Sequence, residues 1–410
     1  MRQIAPNALS LTILGLMACL SPALQAQDAT LAPATTAVQQ GEYLARAGDC
    51  TSCHTAQNGQ PYAGGFRLDT PFGYLLAPNI TPDQQTGIGN WSADDFYRAL
   101  HDGVNKKGQY LFPAMPYTSY TKVTRADSDA LYAYLMSLPP VSNAVEVNHL
   151  KFPFNLRLSM LGWNELYFDK GTYQADPKQT QAWNRGAYLV EGLGHCSECH
   201  SPRNVLGGIE QKKAFTGADI DGWFALNLTG NLKTGLGQWS VANIATYLKT
   251  GADKSKSTSL GPMSEVVHNS LSFMTDDDLQ AMAEYLKTLP ASSAMSTEYK
   301  PDTTLTAGAT TYVDNCSACH QAQGSGISGV FPALAGNGVV VATDANDILK
   351  VVLFGIPVQD GYIAMPGFGD KLNDQQVADL ANYLRSSWGN GASANASAAQ
   401  VAALRKMPVE

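Results

Sequence analysis

Six of the seven cysteines in this chain form three pairs, each pair separated by two residues and followed at once by histidine. The motifs are Cys50-Thr51-Ser52-Cys53-His54, Cys196-Ser197-Glu198-Cys199-His200 and Cys316-Ser317-Ala318-Cys319-His320. Thiols at i and i+3 on one helical turn reach the two vinyl groups of a single porphyrin. The histidine at i+4 then faces the iron from the proximal side. This is the attachment signature of covalently bound haem c, here in three copies.

Two blander chemistries use the same pair. A structural zinc site needs four ligands, and no second Cys-x-x-Cys or paired His accompanies any of the motifs. A thioredoxin-like redox pair belongs on a βαβ pattern, which this sequence lacks. Chance accounts for one match, but not for three with the trailing His at the same place in a repeat. The six cysteines are used up by the motifs, which leaves none for a disulfide framework.

Iron held by His and Met has both axial positions filled and a raised potential, which suits electron transfer rather than binding of a small molecule. Each unit should then hold one methionine in a loop well after its motif, and one beside proline, ahead of the closing helix, is present in each: Pro113-Ala114-Met115-Pro116, Gly261-Pro262-Met263 and Ala364-Met365-Pro366-Gly367. The candidate axial pairs are therefore His54/Met115, His200/Met263 and His320/Met365. Met136 and Met282 fall at helical spacing and read as core. Met274, in a loop before a helix, competes with Met263, and His268 is a second rival. His195, beside Cys196, reads as a solvent-facing or haem-edge residue. No Gly-rich nucleotide loop, paired carboxylates or Ser/His/Asp set is present.

The elements that must position these residues repeat with them. GEYLARAGDCTSCH (41–54), GAYLVEGLGHCSECH (186–200) and GATTYVDNCSACH (308–320) each open on Gly and carry an aromatic. NITPDQQTGIGNWS (79–92) and NLTGNLKTGLGQWS (227–240) share Asn, Thr, TG-x-G and Trp at equal spacing. Their Asn-x-Thr reads as a structural turn near haem rather than a glycosylation acceptor. Each repeat closes on a helix. In the second, Thr275 caps an acidic first turn, Leu279, Met282, Leu286 and Leu289 recur at helical spacing, and Pro290 stops it. No convincing alternating strands are visible. The expected fold is all-α, three haem-binding domains in tandem at 36–140, 180–292 and 302–392. An aromatic-rich linker (141–179) is expected to pack on the domains, and a low-complexity tail (393–410) holds one short helical stretch at Ala398–Leu404, with disorder as the other reading.

Residues 1–26 read as a signal peptide: Arg2, an apolar run from Leu9 to Leu20 too short to span a bilayer, and small residues before Ala26. Leu16-Met17-Ala18-Cys19 gives a second reading, in which Cys19 is lipidated and becomes the mature N-terminus. The net charge of −8 and the lack of a basic patch exclude nucleic acid as a partner.

On GEYLARAGDCTSCHT, GYLLAPNITPDQQTGIGNWSADDFYRALHDGV, LFPAMPY, WNRGAYLVEGLGHCSECHSPRN and LRSSWGN, the chain resembles the three-haem cytochrome c subunit of membrane-associated bacterial dehydrogenases, those acting on alcohols, gluconate, sorbitol, fructose or aldehydes. The resemblance covers about residues 38–390. It implies three periplasmic cytochrome c domains, with one His and one Met on each iron at the pairs named above. It also implies a catalytic partner subunit carrying a quinone or flavin, or molybdenum, and delivery of electrons to ubiquinone or to a downstream cytochrome or oxidase. The short tail departs from relatives that carry a C-terminal anchor, which gives the lipidated reading of Cys19 more weight. On this reading the chain is an electron wire with no catalytic site of its own. A free periplasmic carrier feeding a terminal oxidase and a haem peroxidase are the alternatives.

Overall fold

The computed structural model describes residues 36–253, 255–292, 306–358 and 363–407. The expected signal peptide and Cys19 lie outside the described residues, as do residues 293–305. The described chain is mostly helical. Each repeat is built on two crossing helices. Ala37–Ala47 packs on Arg125–Ser137, Gln181–Tyr188 on Asp276–Lys287, and Thr306–Asn315 on Asp374–Ser386.

The closing helices begin where the sequence supplies a side-chain acceptor for a free backbone N–H. Thr124 accepts from Asp127 N, Thr275 from Asp278 N, and Asn373 from Gln376 N. The repeated glycine sets how closely the helices cross. A Cβ on Gly41 would stand 2.0 Å from Ala130 O, one on Gly186 1.9 Å from Ala281 O, and one on Gly308 2.2 Å from Asp379 O. Only a residue without a side chain allows that approach.

The first two repeats differ by one residue between this glycine and the motif. The extra residue falls in a kinked turn, Leu189–Leu193, where Gly192 leaves helical geometry and Gly194 N donates to Leu189 O at 2.7 Å.

Three buried cores lie under the three helix pairs. Leu44, Phe96, Leu131 and Leu135 anchor the first, and Leu189, Ile244, Leu279 and Met282 the second. Tyr312, Leu349, Leu380 and Leu384 anchor the third. The first two exchange residues: Leu193 packs in the first core and Ala47 in the second.

Short strands appear that the sequence pattern did not show. Arg67–Thr70 pairs antiparallel with Gly73–Leu76, and Ala218–Ile220 with Trp223–Ala225, at matching places in the first two repeats. Segments of three or four residues are too short to display a two-residue period, which is why they escape sequence reading. The linker adds Asn148–Leu150 to the first hairpin and buries Met160 against Leu75 and Phe112. It also leaves Phe152 and Leu158 exposed. The low-complexity stretch forms the helix Ala398–Leu404, whose Val401 and Leu404 are buried in the third core. Among the described residues, no helix is long and apolar enough to cross a membrane.

Candidate haem sites

Each motif folds as one helical turn at the foot of its leading helix: Cys50–Cys53, Ser197–His200 and Ser317–His320. The turn closes with a backbone bond from His N to the first Cys O, at 3.0 Å in all three motifs. The thiols are not joined in disulfides. Burial pushes Cys50 and Cys196 up to about 12 and Cys53, Cys199 and Cys316 up to about 11. Thiols of this kind stay protonated at neutral pH and are poor redox nucleophiles. Among the described residues, no three His, Cys, Asp or Glu side chains converge on a point that would hold a bare metal ion.

The three histidines share one arrangement. Nδ1 of His54 lies 2.8 Å from Pro78 O, Nδ1 of His200 2.6 Å from Leu226 O, and Nδ1 of His320 3.0 Å from Pro332 O. A backbone carbonyl only accepts, so Nδ1 carries the hydrogen and Nε2 keeps its lone pair. Burial lowers the pKa of all three imidazoles, with the carbonyl bond opposing it, so the rings are neutral. A neutral imidazole with a fixed tautomer and a free Nε2 is what an iron ligand requires.

These carbonyls are the part of the site that sequence reading missed. In the first two repeats they come at the end of the hairpin, just before the repeated asparagine. Asn79 and Asn227 are buried. Asn79 Oδ1 accepts from Thr81 N at 2.9 Å, and its Nδ2 donates to Thr86 Oγ1 and Val141 O. Asn227 Oδ1 accepts from Thr229 N at 2.8 Å, and its Nδ2 donates to Thr234 Oγ1. The Asn-x-Thr repeat is thus a buried turn that fixes the histidine's acceptor. Its recurrence before TG-x-G was the available signal.

The methionines divide. Met115 packs against the same core as Cys50, and Met263 against the same core as Cys196. Met263 lies in the first turn of the helix Pro262–Asn269 rather than in the expected loop, because Pro262 at N1 starts a helix there. Met365 sits in a two-residue strand paired with Gly355–Ile356 and is half-buried, outside the third core that Cys316 touches. Met274 is buried within the second core, Met282 likewise, and Met136 packs on the first. His268 is exposed. His195 is half-buried, with Nδ1 on Leu193 O at 2.7 Å and its ring edge-on to Tyr120.

Paired thiols, a tautomer-fixed imidazole and a thioether on the same core fit a covalently held haem in the first two repeats. In the third, the thiols and imidazole fit in the same way.

A family model described as cytochrome c matches residues 38–139 and 305–388. The gluconate 2-dehydrogenase cytochrome c subunit of Pantoea cypripedii is 42% identical over 90% of this chain and 89% of that protein. The cytochrome c subunit of alcohol dehydrogenase (quinone) from Gluconobacter oxydans is 39% identical over 96% of this chain and 86% of its own. A nicotinate dehydrogenase subunit of Pseudomonas putida is 44% identical over 85% of this chain, which spans 30% of that longer protein. With cytochrome c segments at both ends and near-full-length likeness to such subunits, the chain belongs to the family of dehydrogenase cytochrome c subunits.

Proposed function

We propose that the chain is a three-haem electron-transfer subunit, made of three tandem cytochrome c domains. Cys50/Cys53, Cys196/Cys199 and Cys316/Cys319 would each hold one haem c, with His54/Met115, His200/Met263 and His320/Met365 on the irons. The observation that carries this reading is the threefold Cys-x-x-Cys-His turn with its histidine Nδ1 on a backbone carbonyl. When bound, the haem supplies a one-electron ferric/ferrous couple. The residues of the chain do the rest. The thiols tether, the carbonyls orient the imidazoles, and the cores exclude water and set the spacing.

Similarity to gluconate and alcohol dehydrogenase subunits supports a catalytic dehydrogenase partner, quinone- or flavin-dependent. A molybdenum-dependent partner is the other type that the family resemblance implies. On this reading, electrons leave for ubiquinone or another respiratory acceptor. We place the mature protein in the periplasm, with residues 1–26 removed and the membrane reached through the partner or a lipid.

A pyridine haemochrome assay, with the near-infrared methionine-to-iron band recorded on the oxidised protein, tests the reading. Three haems per chain and a band for three His/Met sites are expected. Fewer haems, or carbon monoxide binding to the reduced protein, would overturn the closed three-site wire.

A further inference from the structure

Glu198 stands between the two cysteines of the second motif, yet its carboxylate serves the first repeat. It is buried, and Oε1 accepts from Thr118 Oγ1 at 2.8 Å and Ser119 Oγ at 3.1 Å. Oε2 is paired with Arg203, whose guanidinium also reaches Glu198 O at 3.1 Å and Gly207 O at 2.8 Å. Thr118 and Ser119 belong to the helical turn Tyr117–Tyr120, which follows directly on Met115-Pro116. That turn is tied to Met115 by Tyr117 N on Met115 O at 2.7 Å, and to the end of the leading helix, two residues before the first motif, by Tyr120 OH on Gly48 O at 3.0 Å.

A return contact runs the other way. Ser52 stands between the cysteines of the first motif, at the place Glu198 holds in the second. Its Oγ accepts from Asn269 Nδ2 at 3.0 Å and donates to Asp49 at 2.6 Å. Asn269 ends the helix that carries Met263. Each motif thus holds the segment bearing the other repeat's methionine. The third motif has Ala318 at this place, and it is exposed.

We propose that Glu198 is the positioning residue for Met115, so that axial ligation in the first repeat is secured from the motif of the second. The proposal rests on the His54/Met115 reading above. A buried carboxylate is retained at such a place only when donors satisfy it, and removing it strands the two hydroxyls that hold the turn.

The test uses the full mature holoprotein, its haem content, its near-infrared methionine band and carbon monoxide binding by the reduced form. Glu198→Ala is expected to keep three haems, lose about a third of the band and let one haem per chain bind carbon monoxide. Thr118→Val with Ser119→Ala leaves the Glu198–Arg203 pair intact and should give the same loss. Glu198→Gln keeps an acceptor oxygen and should retain most of the band. In a Met115→Ala background, Glu198→Ala should remove nothing further. If Met115→Ala removes a third of the band while Glu198→Ala and the Thr118/Ser119 variant remove none, the positioning role is overturned and the ligand assignment stands. If Met115→Ala leaves the band whole, the ligand assignment falls and the proposal falls with it.

Discussion

The hydroxyl of Tyr43 donates to the Asp278 carboxylate at 2.6 Å, and its counterpart Tyr188 donates to Asp127 at 2.6 Å in the opposite direction. Each tyrosine lies two residues after the crossing glycine of its own repeat. Each aspartate lies three residues after the N-cap of the other repeat's closing helix. The first two repeats therefore meet through a self-complementary interface of the kind that relates the halves of a two-fold dimer. Removing either hydroxyl while keeping the ring should cost about 1–2 kcal/mol, since the acceptor is a carboxylate. Tyr43→Phe and Tyr188→Phe should lower the thermal midpoint to a similar extent. Equal midpoints to the wild type in both would refute the interface's contribution.

Asp278 gives this interface a pH dependence. Burial works against its charge, but the Arg185 fork, at 2.8 and 2.7 Å, and the Tyr43 hydroxyl outweigh it and hold its pKa below the ordinary carboxylate value. A carboxylate depressed in the folded state binds fewer protons there than in the unfolded chain. Its stabilisation is complete above the unfolded value, about 4, and is lost as pH falls through the folded one. Acid titration of unfolding should be steeper below pH ~4 in the wild type than in Asp278→Asn. Parallel curves would show that the pair carries no such linkage.

Asp347 has the opposite sign. It is buried, accepts from Phe224 N at 2.8 Å, and is pushed up to about 6 by burial, with Lys350 lowering it and Asp344 and Asp219 raising it. The folded chain holds this proton up to about 6, and the unfolded chain releases it near 4. The contribution is thus full below about 4 and lost as pH rises through 6. Asp347→Asn keeps an acceptor for Phe224 N without the charge. It should be more stable than the wild type at pH ~7.5 by about 1–3 kcal/mol, and the gap should close toward pH ~4. Chemical denaturation at the two pH values reads both.

Gly186 and Gly162 make a matched pair of alanine substitutions. A Cβ at Gly186 meets Ala281 O at 1.9 Å, whereas one at Gly162, in the helix Ser159–Tyr167, meets nothing within 4 Å. Gly186→Ala should destabilise by at least about 1–3 kcal/mol, because two helix backbones must part. Gly162→Ala should stabilise by about 0.5–1 kcal/mol through helix propensity. Thermal unfolding of the two variants should move in opposite directions, and a shift in the same direction would contradict the crossing geometry.

Asn79 and Asn227 hold the carbonyls that the histidines use. Replacing either by Ala leaves buried N–H groups unpartnered and should cost about 1–3 kcal/mol. On the three-haem reading proposed above, a looser Nδ1 bond makes the imidazole a weaker donor to iron, so the midpoint potential of that haem alone should rise. Spectroelectrochemistry would read this as a shift of one potential, and a uniform shift of all of them would argue against the local mechanism.

Much of this was legible in sequence because it rests on local rules. Cys-x-x-Cys-His is a single helical turn, and the closing helices announce themselves by cap and period. What escaped depends on partners far apart in the chain. The acceptor for His54 is 24 residues on, and no spacing rule connects the two. The brace from Glu198 to Thr118 spans 80 residues. The hairpins are not legible in the sequence because strands of three or four residues carry no readable alternation. Met263 was expected in a loop, although the Gly-Pro before it is a helix start. The repeated glycine marks the repeat in the sequence, but its cause, a backbone crossing, needs both helices in view.

Arg385 is fully buried, and its guanidinium donates to Ser393 O at 2.9 Å as well as to the carbonyls of Val340, Thr343 and Asp344. Arg405 in turn grips Asp374 and the carbonyls of Gly369 and Leu372. The residues from 393 to 405 are therefore a lock on the third repeat. A ribosome that stalls before Ser393, or a protease that cuts there, leaves a cation in the interior short of an acceptor and a core without Val401 and Leu404. Such a fragment would carry all three Cys-x-x-Cys-His motifs and still lack a stable third repeat.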